Sequence, residues 1–98
     1  MWEHKQIDYK REVLKLASLL QARGFRFSVN NIWDGAQVIL YDSRNKRVAD
    51  AVCHFFSRGH EQGLLEIQGL GIEKNDVLGW LTAESVLKIW TDCMEGKG

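Results

Sequence analysis

Apolar residues near the start of the chain return at three- and four-residue intervals: Tyr9, Val13, Leu16, Ala17 and Leu20. Lys10, Arg11, Glu12 and Lys15 fill the positions between them. This spacing predicts an amphipathic helix over about Asp8 to Ala22, with its charged side chains turned mostly to water. Gly24 is placed to end it in the left-handed conformation that follows a last helical turn. The period then changes from near 3.6 to two. Phe25, Phe27 and Val29 alternate with Arg26, Ser28 and Asn30, the mark of a half-buried strand. Asp34-Gly35 supplies the strongest short turn signal in the chain, since a two-residue type I′ loop needs positive φ at both positions. A second strand, Ala36 to Tyr41, is expected to return antiparallel to the first. A loop at Asp34-Gly35 sets Val29 opposite Leu40 and Asn31 opposite Val38, on one face.

Asp42-Ser43-Arg44-Asn45-Lys46 reads as a polar hairpin loop, after which Arg47 to Phe56 forms a third strand. Val48, Asp50, Val52, His54 and Phe56 fall on one side of it, and Ala49, Ala51, Cys53 and Phe55 on the other. The small residues of the second side suit close packing beneath a helix. Ser57 to Gly63 is a glycine-flanked connection, and Leu64 to Gln68 a short fourth strand. Thr82 is an N-cap for a closing helix, with Glu84 in its first turn near the positive end of the dipole. Val86, Ile89, Trp90 and Cys93 define that helix's buried stripe. The expected fold is α+β: a four-stranded antiparallel meander with an N-terminal and a C-terminal helix, every connection between strands being too short for a parallel crossover.

Composition narrows the function classes. Ninety-eight residues, 45% of them hydrophobic, suffice for a single domain spanning 1–98 and not for two. Thirteen basic side chains balance thirteen acidic ones, so the chain lacks the basic excess that drives nucleic-acid binding. The halves differ: nine basic against five acidic residues over 1–49, four against eight over 50–98. That is +4 against −4, which is either the solvated faces of separate elements or a pair of patches for charged partners. Two cysteines forty residues apart in apolar patterns read as buried thiols of a reducing compartment. No apolar run approaches the roughly 18 residues of a membrane span, and no basic start leads into a signal-like core, so a cytoplasmic location is expected.

Chemistry-bearing residues concentrate between Asp50 and Ser85. Cys53-His54 and His60-Glu61 offer metal-type ligands, but adjacent strand residues point to opposite faces, and no second Cys pair completes a zinc set. No metal or cofactor is expected. The same facing argument weakens a Cys53-His54 nucleophile pair, leaving Cys53 with His60 across the loop as the core of an enzymatic alternative. Asp50 and His54 share a strand face yet lie about 13 Å apart, too far to bond directly. Gly59, Gly63, Gly69 and Gly71 match no phosphate-binding pattern. Arg44, Lys46 and Arg47 at a hairpin tip, with Arg26 from the first strand, suggest at most a weak nucleic-acid module. Trp80 and Trp90 are assigned to the core. Trp2 and Trp33 either cap its ends or serve as partly exposed interface anchors.

The block from Ile39 to Ile89 carries YD, DAVCH, S-x-G-x-E-x-GLLEI-x-G and GWLTAE-x-V elements. In these it resembles a group of small proteins from phages and prophages of Firmicutes, differing from them at Arg58, where an aromatic residue is usual. The resemblance implies a phage-derived accessory protein in the cytoplasm of a bacterial host. It further implies action by stoichiometric binding to a host protein, in the manner of inhibitors of defence nucleases such as the CRISPR nucleases. Trp33, Arg58, His60, Glu61 and Glu66 are the expected partner-binding residues, and a homodimer is compatible with this reading.

Overall fold

The computed structural model describes residues 9–32, 35–54, 57, 62–70 and 77–95. Helix α1 (Arg11–Ala22) leads into five strands, β1 (Arg26–Ile32), β2 (Gly35–Tyr41), β3 (Arg47–Cys53), β4 (Leu65–Gly69) and β5 (Leu78–Leu81), and helix α2 (Ala83–Met94) closes the described chain. The strands form one antiparallel sheet in sequence order. This is the expected α+β meander between terminal helices, with one strand more than expected.

Both helices pack on the same face of the sheet. Val13, Leu16 and Leu20 of α1 and Ala83, Val86 and Trp90 of α2 join Ala36, Val38, Leu40, Ala49, Ala51, Cys53, Leu65 and Ile67 in a single buried cluster. The alternation along β3 works as its composition requires, because three small residues beneath the helices let them approach closely. Gly24 takes φ +76 just after α1, and the Thr82 hydroxyl accepts the Ser85 N–H, so both helix boundaries rest on the expected chemistry.

Cys93, expected in the buried stripe of α2, is only half-buried, and β3 ends at Cys53 with His54 beyond it; four larger particulars also depart from the sequence pattern. The β1–β2 register pairs Val29 with Val38, Asn31 with Ala36 and Ile32 with Gly35, two residues away from the pairing expected of an Asp34-Gly35 loop. A shift of two preserves the facing, so the sheet's faces survive the error. Gly35 lies within β2 and is not among the positive-φ residues, while Trp33 and Asp34 lie outside the described residues. Its glycine identity answers a different demand: a Cβ there would stand 1.8 Å from the backbone oxygen of Cys53.

The second departure is Glu12, expected to face water and instead only 6% exposed, because its carboxylate reaches across to the N-terminus of α2. The third is β5 itself, four residues long and interrupted by glycine, hence below the threshold of a period-two reading. Between the pairs Leu65–Leu81 and Ile67–Leu78, Gly79 and Trp80 together oppose Glu66, which is a β-bulge. Trp80 takes φ +57 in this bulge and is 59% exposed. Its assignment to the core is therefore corrected, whereas Trp90 is fully buried as expected. The fourth is Val29, 40% exposed although it lies on the helix side of edge strand β1.

Candidate interaction surface

Among the described residues no helix covers the opposite face of the sheet, and the residues of that face follow from the register. One row runs Ser28, Ile39, Asp50, Gln68 across β1 to β4, and the next runs Asn30, Gln37, Val52, Glu66. Polar side chains alternate with Ile39 and Val52 instead of forming an apolar stripe. They are tied to one another: the Gln37 carboxamide donates to Asp50 Oδ2 at 2.8 Å, Arg47 Nη2 stands 3.5 Å from the same oxygen, and Ser28 and Tyr41 share a hydroxyl–hydroxyl bond of 3.1 Å. The Asp50 side chain is 14% exposed, so its charge is partly desolvated and compensated from two directions. Its carboxylate thereby holds Gln37 and Arg47 in place. An open hollow of about 260 Å³ lined by Arg47, Val48, Ala49, Asp50, Gln68 and Gly69 lies at one end of this face.

Of the expected partner-binding residues, Glu66 lies on this face, half-buried and directly opposite Val52. Trp33, Arg58, His60 and Glu61 lie outside the described residues. β3 ends at Cys53, whose side chain is fully buried on the helix side, and His54, just beyond the strand, is half-buried. The His54 backbone is clamped by Ser57, whose Oγ accepts the His54 N–H at 3.0 Å and donates to the His54 carbonyl at 2.9 Å. Neither cysteine is in a disulfide. Among the described residues no three His, Cys, Asp or Glu side chains come together as a metal site requires. The residues missed by sequence reasoning are Gln37, Ser28 and Tyr41; polar positions at even spacing on consecutive strands were the available signal.

The basic residues also gather. Arg26 pairs in register with Tyr41 and donates from Nη1 to Asn45 at 2.8 Å, which brings β1's cation to the β2–β3 turn that carries Arg44 and Lys46. Asp42 builds that turn by accepting the backbone N–H groups of Arg44 and Lys46 at 2.8 and 2.9 Å, with Asn45 at φ +61. These two bonds hold the Asp42 carboxyl below its ordinary value of 3.8. A depressed carboxylate stabilises the fold above its unfolded pKa, and that contribution is lost as pH falls through the folded pKa. Acidification below about pH 3.8 should therefore loosen this turn, seen as the Arg44 and Lys46 amide resonances moving together with the Asp42 carboxyl. Independence of those amides from the Asp42 titration would refute the assigned bonds.

No family model, curated protein or solved structure matches this chain. Among the described residues no helix is long and apolar enough to cross a membrane.

Proposed function

We propose that this chain is a phage-derived accessory protein that acts by stoichiometric binding to a host protein, with a defence nuclease of the CRISPR type as the target class. The observation that carries the binding reading is the sheet face that no described helix covers, whose donors and acceptors are held in place by Gln37–Asp50–Arg47 and Ser28–Tyr41. Side chains already fixed by such bonds lose little freedom when a partner arrives, which favours a specific interface. The phage resemblance of the Ile39 to Ile89 block supplies the target class. A nucleophilic role for Cys53 is disfavoured by its full burial on the other face.

Titration of a purified target is the test. A binding inhibitor saturates near one equivalent, and Glu66→Lys, reversing charge on the open face, should weaken the complex about tenfold. Multiple turnover of target at a small fraction of its concentration, abolished by Cys53→Ala or His60→Ala, would overturn the proposal in favour of the enzyme.

The cluster of Arg26, Arg44, Lys46 and Arg47 supports a second reading, a weak nucleic-acid module. It predicts oligonucleotide affinity that falls steeply with salt and is lost on replacing Arg44 and Lys46.

A further inference from the structure

The two edges of the sheet are built differently. β5 is four residues long, broken by the Gly79-Trp80 bulge and left-handed at Trp80, all features that discourage pairing with another strand. β1 has none of these protections. It runs seven residues, pairs with β2 without a register shift, contains no proline and carries no charge between Phe27 and Ile32. Among the described residues β2 is its sole strand neighbour, so its outer edge presents backbone N–H and C=O groups. Val29, the central residue of the strand, is 40% exposed.

We infer that β1 is a self-pairing edge, and that its occupant is the β1 strand of a second copy of this chain. The argument is the symmetry of the strand about Val29. An antiparallel two-fold centred there pairs all seven residues: Val29 with Val29, Ser28 with Asn30, Phe27 with Asn31, and Arg26 with Ile32 of the other copy. No like charges meet, because the strand's one cation, Arg26, falls at the end opposite an isoleucine. Ser28 and Asn30 both lie on the open face and can bond across the junction, while the two exposed Val29 side chains cover each other on the helix face. Sliding the register by two residues leaves ends unpaired and breaks the Val29 contact. A two-fold axis perpendicular to the sheet keeps both pairs of helices on one side, so the two five-stranded sheets join into one and their open faces become continuous. This pairing stands independently of the proposed host target.

Sedimentation equilibrium over a concentration series tests it. The parent chain should show a reversible dimer. Val29→Lys puts two ammonium groups opposite each other at the centre and should sediment as a monomer with an unchanged far-UV spectrum. Val29→Glu should do the same, and an equimolar mixture of the two variants should recover the dimer as a heterodimer. Restoration by opposite charges requires Val29 to face its own counterpart, which separates this pairing from a general loss of hydrophobic surface. A parent chain that stays monomeric at the highest concentration, a Val29→Lys protein that still dimerises, or a mixture that stays monomeric would each overturn the inference.

Discussion

Gly35→Ala is expected to lower the melting temperature by about 12–24 °C, the shift that corresponds to about 3 kcal/mol in a domain of this size. The new methyl would lie 1.8 Å from the Cys53 oxygen and 2.8 Å from both the Cys53 carbonyl carbon and His54 Cα. Real Cβ contacts do not occur below about 3 Å, and every clashing atom here is backbone, so no side-chain rotation relieves the overlap. Relief requires the end of β3 to move away from β2. Cys53 is fully buried at that point and Ala36, its register partner, is 2% exposed, so the movement would open the core beneath the helices. Gly24→Ala provides the comparison. Gly24 has φ +76 but nothing within 4 Å of a Cβ, which limits its cost to the left-handed penalty of about 1 kcal/mol. Calorimetry on the two variants separates the causes: equal losses would show that Gly35 is not held by close approach to β3.

The same glycine illustrates which parts of the fold were legible in the sequence. Periodicity located α1, β1 to β4 and α2, because each carries a stripe long enough to repeat. The small side of β3 correctly announced its helix cover. Local chemistry alone points to a type I′ turn at Asp34-Gly35, whereas Gly35 is required by a residue eighteen positions later, a tertiary demand that no local window contains. Trp80 failed for a related reason: a bulge redirects a side chain that composition assigns to the interior. For the interaction surface, the burial of Cys53 on the small-residue side of β3 was readable from the alternation of that strand. The Gln37–Asp50 and Ser28–Tyr41 bonds join residues thirteen positions apart and became visible only once the register of neighbouring strands was known.

Glu12→Ala should destabilise the fold by about 1–3 kcal/mol, although its charge groups the residue with the solvent-facing Lys10, Arg11 and Lys15 in the sequence pattern. Glu12 Oε1 accepts the backbone N–H of Ala83 at 2.8 Å, and Oε2 lies 3.3 Å from Arg11 Nε. Ala83 opens α2, so its N–H is one of the donors that a helix start leaves without an intrahelical partner. The Thr82 hydroxyl satisfies the Ser85 N–H, while the Ala83 N–H, inside a residue with no exposure, depends on a side chain from α1. The carboxylate also faces the positive end of the α2 dipole, and the exposed Lys15–Glu84 ion pair joins the same two helices beside it. Removing Glu12 thus leaves a buried donor unpaired and loosens the junction that brings the two ends of the fold together. Glu12→Gln keeps an acceptor oxygen at the same reach and gives up only the charge, for a loss of about 1 kcal/mol or less. Chemical denaturation should rank the proteins parent, Glu12→Gln, Glu12→Ala in decreasing stability, with the Ala83 amide losing hydrogen-exchange protection in the alanine variant. Equal stability of the alanine variant and the parent would show that α2 does not need its cap from α1.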